Sequence, residues 1–189
     1  MVKKRACIFI SGKGSNLNSL IKRSRDNSFP IKINLIISNK VNAEGLNYAK
    51  KFSIPFIIID TSKKNYEIKI LNEISKRNIS IICLAGYMKI LSKRFIRQFK
   101  RPILNIHPSL LPKFKGINTY KRIIEKKERI TGCTVHFVNE YLDSGKIILK
   151  KSFEIKASDN ERSLKIKTQI MEHKSYPEAI IKVFKYINF

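Results

Sequence analysis

Asn105 and His107 lie two residues apart in LNIHPSLLPKFKG, residues 104–116, where a short apolar run breaks on Pro108 and Pro112. In an extended strand, residues i and i+2 project from one face, so the two side chains would point together beyond the strand end. A carboxamide donates a neutral hydrogen bond to a developing oxyanion, and an imidazole gives or takes a proton near neutrality. Read structurally, the same pair is a polar strand end closed by a proline turn.

Asp143 sits in LDSG, which by itself is turn chemistry. Folded back beside His107, its carboxylate would stabilise the imidazolium and raise its pKa. His136, inside the alternation TVHFV, reads as a strand residue, and His173 beside Glu172 reads as part of a solvated helix end. Tyr87 and Met88 follow the apolar run IICLAG and could line a pocket for a flat ring, although core packing is the simpler assignment. The loop SGKGSN, residues 11–16, brings two glycines between a strand and a helix. Its backbone can approach a ligand closely, and free N–H groups at the helix start attract an anion. No Asp or Glu lies between Ile31 and Ser38, where a dinucleotide site would place its ribose-binding acid, so a single phosphate is the expected ligand.

These residues need elements to hold them. The pattern predicts strands at 5–10, 31–37, 55–59, 80–84 and 103–107, and helices beginning near 17 and spanning 43–52, 64–77 and 92–99. Ser15 or Asn16 would cap the first helix. Such alternation implies a Rossmann-like, mostly parallel α/β sheet flanked by helices. The pattern then changes. A helix at 118–127 precedes two β segments, 131–138 and 146–155, around the turn-rich YLDSG, which predicts an antiparallel C-terminal addition. A last helix, 161–187, is expected to be interrupted at Pro177.

With 189 residues, 43% of them hydrophobic, the chain can bury one sizeable core, and one domain is expected over residues 1–189. The N-terminus has neither signal-peptide nor membrane-span character. Cys7, Cys83 and Cys133 lack disulfide or metal-ligand spacing, which points to reduced thiols and a cytoplasmic location. Lys and Arg number 39 against 14 Asp and Glu, a formal charge of +25. The lysines are scattered, without a basic tail or an arginine–aromatic module, so the charge reads as compositional bias and not as a specific nucleic-acid face.

Taken together, SGKGSN, AGYMKILS, NIHPSLLPKFKG, TGCTVHFV, LDSGKIIL and EHKSYP occur in an order and spacing that resemble the phosphoribosylglycinamide formyltransferase family over nearly the whole chain. The resemblance implies formyl transfer from 10-formyltetrahydrofolate, a cosubstrate, to the primary amine of 5-phosphoribosylglycinamide in purine (IMP) biosynthesis, with no metal. It implies a mononucleotide-binding half, about residues 1–100, and a catalytic and folate-binding half, about 101–189. By position, Gly14, Ser15 and Asn16 would bind the phosphate, and Gln169, Ile170, Met171 and Glu172 the rest of the ribonucleotide. Lys63, Met88, Lys89, Ile90 and Leu91, with Asn105, Asn139, Glu140, Tyr141, Leu142 and Asp143, would bind the folate. Asn105, His107 and Asp143 would be catalytic, with protonated His107 helping Asn105 to stabilise the oxyanion. Lys63 and Lys89 stand where the family often has arginine. The expected partners are small molecules, not membrane or a specific nucleic acid, and the expected state is a monomer or homodimer. Methionyl-tRNA formyltransferase and formyltetrahydrofolate deformylase share a related centre. Their further C-terminal and N-terminal domains, respectively, set them apart from a chain that opens on its first strand and stops at Phe189.

Overall fold

The computed structural model describes residues 2–186. In chain order the elements are β1 (Lys4–Ile10), α1 (Ser15–Ser24), β2 (Ile31–Ser38), α2 (Leu46–Lys51), β3 (Phe56–Ile58), α3 (Tyr66–Lys76), β4 (Ile81–Leu84), α4 (Lys93–Phe99), β5 (Ile103–His107), α5 (Thr119–Glu125), β6 (Ile130–Phe137), β7 (Ile147–Glu154) and α6 (Glu161–Tyr186). The strands form one sheet ordered β3-β2-β1-β4-β5-β6-β7. Pairing is parallel from β3 to β5 and antiparallel from β5 to β7, as the change of pattern after residue 107 predicts.

The buried strands read as apolar runs because both of their faces are covered. Ala6, Ile8 and Ile10 of β1 pack with Leu17 and Leu20 of α1 and Ala179 and Ile180 of α6. Cys7 and Phe9, on the opposite face, pack with Ile70 and Ile74 of α3 and Phe95 of α4. Strand order reverses between β1 and β4, and in such sheets the crevice beyond the carboxyl ends at that point is where ligands bind. Here the SGKGSN loop leaves β1 and AGYM leaves β4. They are tied together by Ser11 N–H donating to Gly86 O (3.1 Å) and Met88 N–H donating to Ser11 Oγ (2.8 Å).

Three sequence expectations are corrected. The N-cap of α1 is Gly14, in the left-handed region, and neither Ser15 nor Asn16 caps the helix. The helix expected at 43–52 begins only at Leu46, after turns. Helix α6 runs through Pro177 without interruption. Proline removes one N–H and orphans the carbonyl four residues earlier, and here that carbonyl, His173 O, accepts a hydrogen bond from Ser19 Oγ at 3.0 Å. The helix therefore keeps its bonding through a neighbour on α1. Its expected end at Ile187 lies outside the described residues.

Candidate active site

β5 delivers Asn105 and His107 to one face, and antiparallel pairing sets His136 opposite Asn105 and Thr134 opposite His107. The loop after β5 is pinned by that partner strand. Thr134 Oγ1 donates to Ser109 O (2.7 Å) and accepts from Leu111 N–H (3.0 Å). The Leu111–Pro112 peptide is cis. From the other side comes the turn carrying Asp143. Gly145 permits that turn, since a Cβ there would stand 1.7 Å from Phe137 O.

Asp143 does fold back beside His107. Its Oδ2 lies 3.3 Å from His107 Nδ1 and accepts from Gly116 N–H at 2.9 Å. Its Oδ1 accepts from Asn105 Nδ2 at 3.5 Å and lies 3.7 Å from His136 Nε2. Burial is the largest influence and opposes its ionisation, but the adjacent His136 ring, the bond from Gly116 N–H and the facing His107 imidazole together hold the carboxyl below the ordinary aspartate value.

His107 differs from the expectation. Its Nε2 faces Phe114 O at 2.8 Å, so both ring nitrogens face acceptors, an arrangement that an imidazolium fills with two donated bonds. Burial is nevertheless the largest influence and lowers the His107 pKa, while Asp143 and the Phe114 carbonyl oppose it. Asp143 thus acts in the anticipated direction, and burial outweighs it. The balance favours the neutral ring, and the acceptors facing both of its nitrogens leave a place for a second proton.

The second group lies where α1 meets α6. Asn16, 8% exposed, donates from Nδ2 to Glu172 Oε2 at 2.8 Å, and Glu172 is 6% exposed. The anticipated solvated helix end is therefore corrected: Glu172 is buried in mid-helix, and burial raises its pKa to about 7 against the lowering bond from Asn16. His173 is half-buried, and burial lowers its pKa. Gln169 is half-buried one turn before Glu172, Met171 is half-buried, and Ile170 is exposed. Gly14 has φ +72°, and a Cβ on it would meet Gly45 Cα at 2.6 Å. Its need for glycine is thus the neighbouring loop as well as its backbone angle, while Gly12 faces open space.

The third group is apolar. Met88 is 74% and Ile90 70% exposed on the loop after β4, and Tyr141 and Leu142 are exposed on the loop that carries Asp143. Leu91, by contrast, packs in the core with Tyr87 and Phe95. Lys63 and Lys89 are exposed. Asn139 Oδ1 accepts from Tyr141 N–H, and Glu140 is held by Arg97 in a two-pronged ion pair at 2.6 and 2.9 Å. A cavity of about 530 Å³ lies elsewhere, between α3 and α4, and contains none of these residues.

The formyl transferase family matches residues 4–180. Phosphoribosylglycinamide formyltransferase of Haemophilus influenzae is 40% identical over 187 residues, covering 96% of this chain and 87% of that one. The chain belongs to the phosphoribosylglycinamide formyltransferase family. The crystal structure of the Brucella melitensis phosphoribosylglycinamide formyltransferase superposes with a TM-score of 0.93 at 36% identity, covering 100% of this chain and 99% of that one. The trifunctional purine biosynthetic protein adenosine-3 of Gallus gallus is 38% identical over 182 residues, and this chain spans 18% of its length.

Within this formyltransferase frame, sequence reasoning passed over His136. Its Nδ1 faces Phe137 O (2.8 Å), so that nitrogen carries the hydrogen and Nε2 accepts from Asn105 Nδ2 at 3.2 Å. The available signal was period two: His136 shares its strand face with Thr134, and both meet the face of β5 that carries Asn105 and His107. Tyr176 was likewise absent from the candidates. Its buried hydroxyl sits between Leu84 O (3.1 Å) and Leu104 O (3.0 Å), joining α6 to the ends of β4 and β5.

Proposed function

We propose that the chain transfers the formyl group of 10-formyltetrahydrofolate to the primary amine of 5-phosphoribosylglycinamide, giving formylglycinamide ribonucleotide and tetrahydrofolate in purine biosynthesis. The observation that supports this most is the meeting of Asn105, His107 and Asp143 at the carboxyl end of β5. In this reading Gly14, Ser15 and Asn16 hold the phosphate at the start of α1, and Gln169 to Glu172 contact the remainder of the ribonucleotide. The exposed apolar set Met88, Ile90, Tyr141 and Leu142 fits a flat folate ring, and Lys63 and Lys89 suit its carboxylates. Residues of both halves of 1–189 then serve one reaction with small soluble substrates in the cytoplasm.

The folate supplies the formyl group, and the chain's own residues manage charge and protons. Asn105 Nδ2 has a second hydrogen beyond the one directed at His136 and Asp143, and donates it to the negative charge developing on the formyl oxygen. That charge draws a second proton onto His107, for which Asp143 and Phe114 O already provide acceptors. Asp143, ionised at neutrality, accepts the proton that the attacking amine must lose, directly or through water; as the bond between the formyl carbon and the folate nitrogen breaks, His107 gives the proton it drew from solvent to the departing nitrogen, and Asp143 returns its own to solvent.

Formyl transfer to 5-phosphoribosylglycinamide, assayed beside formylation of initiator methionyl-tRNA at about physiological ionic strength, tests the assignment. Transfer to the small amine, with weak and salt-sensitive tRNA binding and no tRNA formylation, is expected. Efficient formylation of the tRNA by this chain alone would overturn it.

A further inference from the structure

The loop 108–118, between β5 and α5, supplies two of the groups that surround the reacting side chains, and both belong to the backbone. Phe114 O faces His107 Nε2 at 2.8 Å, and Gly116 N–H donates to Asp143 Oδ2 at 2.9 Å. Phe114 (φ +57°), Gly116 (φ +79°) and Asn118 (φ +55°) all lie in the left-handed region. Gly116 is glycine for its angle alone, since a Cβ there would meet only Leu142 Cδ2 at an ordinary 3.8 Å. Asn tolerates the left-handed region, whereas a Phe needs outside support. Such backbone persists only where its surroundings over-determine it.

That support comes from Arg122 of α5. Its Nη1 donates to Lys115 O at 2.6 Å and to Ile117 O at 3.4 Å, and its guanidinium carbon lies 5.6 Å from the centre of the Phe114 ring. Among the described residues it pairs with no acid, while its neighbour Lys121 lies 3.9 Å from Glu125. Thr119 Oγ1 adds a bond to Gly116 O at 3.2 Å. The Lys115–Gly116 peptide is trans, so its C=O and N–H lie in one plane and point in opposite directions. Arg122 draws the carbonyl of that plane toward α5, and the N–H at its other edge is thereby aimed at Asp143. The same guanidinium braces the ring of Phe114, whose carbonyl faces His107.

We infer that Arg122 is a positioning residue of the reaction: by fixing the Lys115–Gly116 plane and Phe114 from α5, it holds the donor to Asp143 and the acceptor of His107 in place. This rests on the formyl-transfer reading, in which Asp143 and His107 move protons. Arg122 bonds to neither of them and acts through the backbone between. Asp143 needs Gly116 N–H to stay ionised where it is buried, and His107 needs Phe114 O to accept its second donated bond when it is charged. The charge of Arg122 works against that second proton, because it lowers the pKa of the ring. What Arg122 contributes is therefore geometry and not its field. A lysine keeps the charge but not the planar group that reaches ring and carbonyls together, so it separates the two effects.

The test is steady-state transfer from 10-formyltetrahydrofolate to 5-phosphoribosylglycinamide by wild type, Arg122→Met and Arg122→Lys, beside NMR of the Gly116 amide in the empty proteins. In Arg122→Met, kcat should fall about thirtyfold while both KM values stay within about twofold. Exchange of the Gly116 amide with water should speed up about tenfold, because its bond to Asp143 is no longer held. Arg122→Lys should recover only part, leaving kcat about tenfold below wild type. A kcat within about twofold of wild type in Arg122→Met would overturn the inference. So would a fall in kcat with the Gly116 amide unmoved, or full recovery by lysine, since either assigns the effect to charge. A rise in KM with kcat intact would make the arginine a binding residue and overturn it too. Should Arg122→Met fail to fold, Arg122→Lys decides: lower kcat with faster Gly116 exchange supports the inference, and wild-type values of either overturn it. Each of these results leaves formyl transfer standing, whereas absence of transfer by wild type would overturn that reading and the inference with it.

Discussion

Asp143 and Glu172 are both buried carboxylates, and their surroundings drive them in opposite directions. Asp143 sits on a left-handed turn (φ +46°), where loop backbone and strand side chains converge on it. It receives Gly116 N–H and Asn105 Nδ2 and faces two imidazoles, and these hold it ionised despite burial. Glu172 sits in the middle of a helix whose own N–H groups are already used, so it depends on what α1 offers, which is one carboxamide. The +25 charge rescues neither, because lysines and arginines at the surface pair with half-buried acids such as Glu140 and Glu128. Count of nearby donors, rather than net charge, sets the state of a buried acid. In the proposed mechanism Asp143 must be charged before substrate arrives, and its donors meet that need.

The sharpest break of this contrast is Asp143→Asn. It removes the charge and puts an NH2 group where Gly116 N–H and His107 now find an acceptor, so both lose their anchor while Asn105 keeps Oδ1. Turnover should fall on the order of a thousandfold. The His107 pKa, already lowered by burial, should drop further, because Asp143 is what raises it. An NMR titration in which His107 is unmoved would reduce Asp143 to a turn residue. His107→Ala should cost about a hundredfold in turnover while ribonucleotide affinity, measured by calorimetry, stays put. Near-normal turnover in that folded variant would remove His107 from the chemistry.

The sheet, its parallel-to-antiparallel change and the Asn105–His107 pairing were legible in the sequence, because period and proline breaks are local signals. Glu172 was misplaced because its environment is made by α1, more than a hundred and fifty residues away in the chain, which covers one side of α6. Pro177 misled for the same reason: the bond that compensates it comes from Ser19. The charge state of His107 needed the three-dimensional balance of burial against two acceptors. His136 was visible as a strand residue, and only strand pairing shows that it shares its face with Asn105 and His107.

The donor-poor region can be disturbed at its base. Gly14→Val must place a branched side chain at φ +72° with its Cβ 2.6 Å from Gly45 Cα, a strain worth about 3 kcal/mol. The clash displaces the start of α1, so ribonucleotide affinity should fall far more than folate affinity. Gly12→Ala, facing open space, should leave stability nearly unchanged. Thermal unfolding and calorimetry on both variants check this, and equal loss of the two ligands in Gly14→Val would make the loop a structural hinge point for the whole site.

The smallest effect isolates what burial of Glu172 costs the fold. Its pKa is about 7 when folded against an ordinary 4.5, so the folded protein binds the proton more tightly than the unfolded chain does. The favourable contribution is then complete below about pH 4.5, declines as pH rises, and is gone above about pH 7, where the fold must hold an unpaired carboxylate. The difference corresponds to an upper bound of about 3 kcal/mol, which entry of water should reduce to about 2 kcal/mol. Glu172→Gln keeps the shape and the Asn16 contact but does not titrate. Relative to wild type it should gain about 2 kcal/mol between pH 5 and pH 8, or a rise in Tm of roughly 4–8 °C at this chain length. Asp143 is unchanged in the variant, so its acid-side loss of stability appears in both curves and cancels. A difference curve flat across neutral pH would mean that Glu172 is already compensated in the folded chain, and the contrast with Asp143 would disappear.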